Sequence, residues 1–226
     1  MTPLEKIKSK GYWRVAIRPH TFKKTRIAEL KSLYPLLEKT SVQFRGWDFP
    51  HLNPNIRPQI DLDWVGQELD YGDIIEVWRF YQSGQFIHFS NIRYDWLDLS
   101  KYIRDWKPGT AAVLGIGETV FRFTEIFEFA SRLALTDAGD DQMHIEITVN
   151  GLRNRKLWVD SPDRMPVRQS YTATIEAFPY EIDLPRTELI AAPRELALKP
   201  ASELFQRFGW EIGLEQLRSQ QAELRR

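Results

Sequence analysis

Arg45-Gly46-Trp47-Asp48-Phe49-Pro50-His51 gathers a guanidinium, an indole, a carboxylate and an imidazole within seven residues. A guanidinium can grip a carboxylate or phosphate through two parallel hydrogen bonds. An indole or phenyl ring can stack on a ligand or anchor a loop to the core. The segment follows a short apolar strand pattern, and strand exits hold side chains on rigid backbone with their tips open to solvent. Arg45, Trp47, Asp48 and His51 are therefore the candidate ligand-binding residues, with His88 on a nearby meander as their titratable neighbour. The competing expectation is a structural corner, in which Trp47 and Phe49 are buried and Asp48 accepts backbone hydrogen bonds.

Other chemical motifs are weaker. Gly115-Ile116-Gly117-Glu118 has two of the three glycines of a dinucleotide fingerprint, and no Walker lysine follows it. Helix N-termini attract anions, but Glu118 in the first turn repels them, so a flexible lead-in with an acidic first turn is expected. The four histidines, His20, His51, His88 and His144, are scattered and form no metal-binding pair along a helix. Asp61, Asp63, Glu68, Asp70 and Asp73 offer oxygen for a hard cation. Strand alternation nevertheless sends neighbours to opposite faces, and a solvated strand edge that resists aggregation accounts for them. Glu29-Leu30-Lys31, the only E-x-K, lies in a helical pattern, and no G-x-S-x-G elbow is present. These patterns yield no catalytic residue, no metal site and no cofactor.

Composition sets the outer bounds. The 226 residues suit one compact domain, with ends at 1–10 and 214–226 expected to be flexible. Cysteine is absent, which excludes disulfides and thiolate chemistry and agrees with a cytoplasmic setting. No apolar run reaches the length of a membrane span, and residues 1–13 lack the apolar stretch of a signal peptide. Thirty-one basic and 31 acidic side chains cancel overall. Residues 1–31, however, carry nine Lys or Arg against Glu5 and Glu29, while residues 58–78 carry six acids and no base. Such a split can mark a nucleic-acid surface, but mutual neutralisation in the fold is favoured for a chain with pI about 6.9.

The elements that must position the candidate residues follow from periodicity. Alternation predicts strands at 12–18 and 42–45, and a three-stranded meander at 63–69, 73–81 and 85–94 with Gly72 and Gly84 turns. Helical spacing predicts a helix over 25–39 and a long one over about 119–136, after a Lys107-Pro108-Gly109 loop. The long helix carries Phe123, Phe127 and Ala130 among many apolar residues and is expected at the core. Asn150-Gly151 predicts a hairpin joining 143–149 to 157–160. Further strands at 171–177 and 181–184 lead to a terminal helix opening at Pro193 or Ala201-Ser202. The order of elements defines an α+β fold, with mostly antiparallel sheets of hairpins and meanders packed around a buried central helix.

Three strings carry a family resemblance: Arg45 to His51, the Tyr81-Gln82-Ser83-Gly84-Gln85-Phe86 hairpin, and Thr124-Glu125-Ile126-Phe127-Glu128-Phe129. Together they resemble a family of uncharacterised bacterial proteins over roughly residues 11–210. Similar regions occur C-terminal to AlbA- or Schlafen-type DNA-binding domains. The resemblance implies a binding, sensing or interaction module accessory to a bacterial defence or regulatory system, and it carries over no catalytic residue. Two alternatives stand beside it: a metal-dependent enzyme acting on nucleotides or nucleic acid, and a structural oligomer subunit. The expected partner is another protein or a second copy; nucleic acid is less favoured, and a membrane is not expected.

Overall fold

Thr2 and Glu5 close a capping box at the start of α1 (Pro3–Lys8), and Pro3 takes the position where a missing N–H costs least. The computed structural model describes residues 1–101, 112–160 and 169–224. After α1 come β1 (Tyr12–Pro19), α2 (Leu33–Thr40), β2 (Val42–Gln43), β3 (Asp48–Phe49) and β4 (Gln59–Ile60). The meander is β5 (Trp64–Asp70), β6 (Ile75–Tyr81) and β7 (Phe86–Asn91). Then follow β8 (Val113–Gly115), the 19-residue α3 (Ile116–Ala134), β9 (Gln142–Asn150), β10 (Lys156–Trp158) and β11 (Ala177–Pro185). Helices α4 (Arg186–Ala191), α5 (Pro193–Gln206) and α6 (Leu214–Gln221) end the described chain.

Seven strands form one antiparallel sheet in the order β11-β9-β1-β7-β6-β5-β4. The fold is thus α+β, as the pattern of elements predicts. Alternation aims Val15, Ile17, Ile145, Ile147, Phe80 and Phe86 at α3, whose Phe123, Phe127 and Ala130 are fully buried. Helices α5 and α6 cover the far side of α3. Across the sheet, α1 sets Ile7 against Ile75 and Val77 of β6. The meander is therefore covered fully on one face and partly on the other. Among the described residues no helix is long and apolar enough to cross a membrane.

Several expectations need correction. The helix predicted over 25–39 begins only at Leu33, after a 3-10 turn at Leu30–Ser32. Pro35 is one cause, because its ring opposes the carbonyl four residues back in any longer helix. Tertiary bonds are the other: Ile27 N donates to Gln82 O (2.8 Å), and Arg26 donates to Gly139 O (2.8 Å). The Asn150-Gly151 hairpin does not form, since β9 already has β1 and β11 on its two edges. Instead β10 pairs in parallel with β8. Of the strand predicted at 171–177, one bridge (Lys156 with Thr172) and the first residue of β11 remain.

Both ends expected to be flexible carry helices. Ile7 anchors α1, and in α6 Leu217 is fully buried while Gln221 Nε2 donates to Thr124 Oγ1 and Arg194 O, each at 2.8 Å. The Lys107-Pro108-Gly109 loop lies outside the described residues.

Candidate functional site

The segment from Arg45 to His51 is the turn and second strand of a small hairpin, with Val42 opposite Phe49 and both fully buried. Gly46 makes the turn with φ +75°, a conformation that costs glycine little. Phe49 is the anchor, packing edge-on against His88 (4.9 Å between centroids) and Phe129 (5.6 Å). The anchored hairpin lays Arg45 and Trp47 over the end of β6 and the first turns of α3.

Beneath them lies Glu76 of β6, fully buried. Its Oε1 accepts from Trp47 Nε1 at 3.1 Å and sits 3.9 Å from Arg122 Nη1. Its Oε2 accepts from the His51 backbone N–H at 3.3 Å and lies 3.1 Å from His88 Nε2. Burial alone would raise the pKa of this carboxyl. The hydrogen bond and charge of His88, the charge of Arg122 and the Trp47 bond outweigh it, leaving the pKa at about 2. Glu76 is thus a fixed anion that ties the hairpin to the sheet. His51 also stacks on Trp47, with ring centroids 3.8 Å apart, and its carbonyl accepts from Trp78 Nε1 at 2.9 Å.

Arg45 grips Glu125 of α3, through Nε (2.8 Å) and Nη2 (2.7 Å). Between this fork and the sheet is a cavity of about 250 Å³ whose walls include Arg45, Trp47, Glu76, Ser90, Glu118 and Arg122. Two of these groups are left open. Ser90 Oγ is buried and has no hydrogen-bond partner, while Arg122, 9% exposed, donates no hydrogen bond among the described residues. Arg122 is otherwise held by the face of Phe49, 5.6 Å away.

Glu118, at the cavity wall, is half-buried, and its carboxyl is pushed above the usual range. Burial is the main cause and Asp160 adds to it, against the opposing charges of Arg45, Arg122 and Arg93. The N-terminus of α3 is itself occupied. Asp160 accepts from the backbone N–H groups of Gly117 and Glu118, both at 2.8 Å. A Cβ on Gly115 or Gly117 would run into that carboxylate, so the two glycines admit an internal acid. The lead-in expected to be flexible is strand β8.

Of the five candidate residues, Arg45 and Trp47 line the cavity. Asp48, His51 and His88 stand behind it. Asp48 Oδ1 is 4.0 Å from His51 Nδ1, and His88 is fully buried behind Glu76. Sequence reasoning missed Glu76, Arg122 and Glu118. A signal was present: Glu118, Arg122 and Glu125 fall at i, i+4 and i+7, a charged stripe on an otherwise apolar helix.

The acidic run serves separate partners. Asp70 binds Lys6 and Asp73 binds Arg93, each at 2.8 Å. Among the described residues no group of three or more His, Asp or Glu is arranged to hold a metal ion. The basic segment 1–31 is partly neutralised within the fold, through Lys6 with Asp70, Arg14 with Glu146 and Arg26 with Asp140. No protein family, curated protein or solved structure matches the chain. The site's own residues therefore carry the functional argument.

Proposed function

We propose that this protein is a cytoplasmic binding or sensing module that takes a small ligand into the cavity beside Arg45 and Trp47. The carrying observation is Ser90 Oγ, buried on the cavity wall with no hydrogen-bond partner, on the same wall as the Arg122 guanidinium, whose ion pair with Glu76 is long at 3.9 Å. Buried polar groups in folded proteins are almost always satisfied, so those left open on a cavity wall are suited to a ligand. At about 250 Å³ the cavity suits a compact metabolite, below the ~300–1,000 Å³ of drug-sized pockets. The geometry favours binding over acyl transfer. Ser90 Oγ and His88 Nδ1 both lack a partner, so they are not bonded to each other as a nucleophile and base would be.

The test is a thermal-shift screen of small carboxylates, phosphates, amines, polyols and nucleosides, run on the wild type, Ser90→Val and Arg45→Lys. At least one class should raise the wild-type midpoint and leave Ser90→Val unmoved. No stabilising compound, or equal stabilisation of Ser90→Val, would overturn the reading. A second reading, self-association, is favoured by the edge strand β4, where Ile60 is 58% and the adjoining Leu62 92% exposed. Light scattering decides it, a strict monomer counting against it.

A further inference from the structure

We infer that the cavity takes a small oxyanion, the carboxylate or phosphoryl group of a compact metabolite, between Arg122 and Ser90, with uptake of one proton by Glu118. This rests on the reading of the cavity as the ligand site.

Of the two carboxylates on the cavity wall, Glu76 is spent, since it receives Trp47 Nε1 and the His51 N–H and faces His88; Glu118 is the other. The donors on the wall are the Ser90 hydroxyl, which has no partner, and the Arg122 guanidinium, which reaches Glu76 only at 3.9 Å. A planar guanidinium next to a hydroxyl matches an oxygen-rich anion better than an amine or an apolar group. Trp47 supplies an apolar wall for the rest of a small organic acid. The N-terminus of α3 is not part of this site, because Asp160 caps it.

Charge balance brings in the proton. Arg45, Arg122 and Arg93 face Glu118 and favour its carboxylate, whereas Asp160 and burial oppose it, and Tyr94 lies within the same field. Glu76 and His88 are engaged with one another beneath the wall. Glu118 shares the balancing of Arg122 with Glu76. A bound anion takes over that role and leaves Glu118 as an excess negative charge in a half-buried place. A proton from solvent then neutralises Glu118, whose O–H becomes a donor toward the ligand. Apart from this O–H bond, whose proton solvent supplies, no covalent bond is made or broken.

The experiment is calorimetric titration at pH 5.5, 6.5 and 7.5. Sulfate is the tetrahedral probe that does not titrate in this range, and acetate and benzoate are the carboxylate probes. Binding should tighten as the pH falls, by up to about tenfold per unit for one linked proton. Glu118→Gln should keep binding and flatten that slope. Arg122→Met should weaken binding more than tenfold, and Arg122→Lys provides the same test if Met disturbs the fold by circular dichroism. A preference for benzoate over sulfate assigns the carboxylate source, and the reverse assigns the phosphoryl one.

If amines or nucleosides bind in a Ser90-dependent way and no oxyanion does, the oxyanion inference fails while the site stands. If the pH slope survives Glu118→Gln, the proton belongs elsewhere and that part is overturned. If oxyanion binding ignores both Arg122 and Ser90, the inference and the site reading fall together.

Discussion

Arg155 and Arg122 are the same side chain at similar depth, placed in opposite circumstances. Arg155 is closed. It holds Asp95 with both Nη atoms at 2.7 Å, donates to Val113 O at 2.8 Å and to Gly151 O at 3.0 Å, and Asp95 in turn accepts from Gly11 N. The pair binds the entry to β1, the 3-10 turn after β7, β8 and the loop before β10 into one corner. Arg122 is open, with Glu76 no nearer than 3.9 Å and a cavity in front of it. A buried ion repays its lost hydration only when its hydrogen-bonding capacity is filled. The closed arginine is thus part of the scaffold, and the open one retains capacity that a ligand can use.

The contrast predicts unequal costs. Arg155→Met leaves the largely buried Asp95 carboxylate without its guanidinium and should cost about 3–5 kcal/mol in urea unfolding, the usual penalty for breaking a buried pair. A loss below about 1 kcal/mol would show that the corner is not structural. Glu76→Gln should cost about 1.5–3 kcal/mol, because hydrogen bonds to a charged group are weakened without leaving a void.

The same carboxyl sets an acid limit. Its folded pKa of about 2 lies below the ordinary 4.5, so its contribution is complete above about pH 4.5 and is lost as the pH falls toward 2. Wild type should therefore lose more stability than Glu76→Gln between pH 5 and 3, and equal losses would count against the network. The smallest effect is expected for Arg122→Met, within about 1 kcal/mol of wild type, since it removes an ion whose bonds are mostly unmade. A cost as large as that of Arg155→Met would erase the distinction between the two arginines.

Local chemistry was the legible part of this chain. The glycines at 72 and 84 adopt φ of +90° and +85°, as the hairpin turns around them require. The phenylalanines of α3 announce burial through composition alone. Pairing between distant segments was not legible. Asn150-Gly151 is a strong hairpin signal, yet which edges of β9 are free depends on β1 and β11, far away in sequence. The site divides the same way. Arg45 and Trp47 stand out because unusual residue types crowd together, whereas Glu76 sits inside an apolar strand and acquires its partners only when the hairpin folds over it. Asp160 was invisible because its targets are backbone N–H groups 42 and 43 residues earlier.

The central place of β1 has a consequence during synthesis. Val15 lies opposite His88 on one side and Ile147 on the other, so the strand made first is the seam between two half-sheets made later. A growing chain must carry β1 with one edge unpaired until β7 has emerged, and with the other unpaired until β9 follows. Long-range pairing of this kind is slow and leaves strand edges open to intermolecular association. Arg14 and Arg18, spaced between the apolar residues of β1, place charge on that exposed ribbon and act as gatekeepers through the interval. Replacing them with apolar residues would bear more heavily on the yield of soluble chain than on the stability of the finished fold.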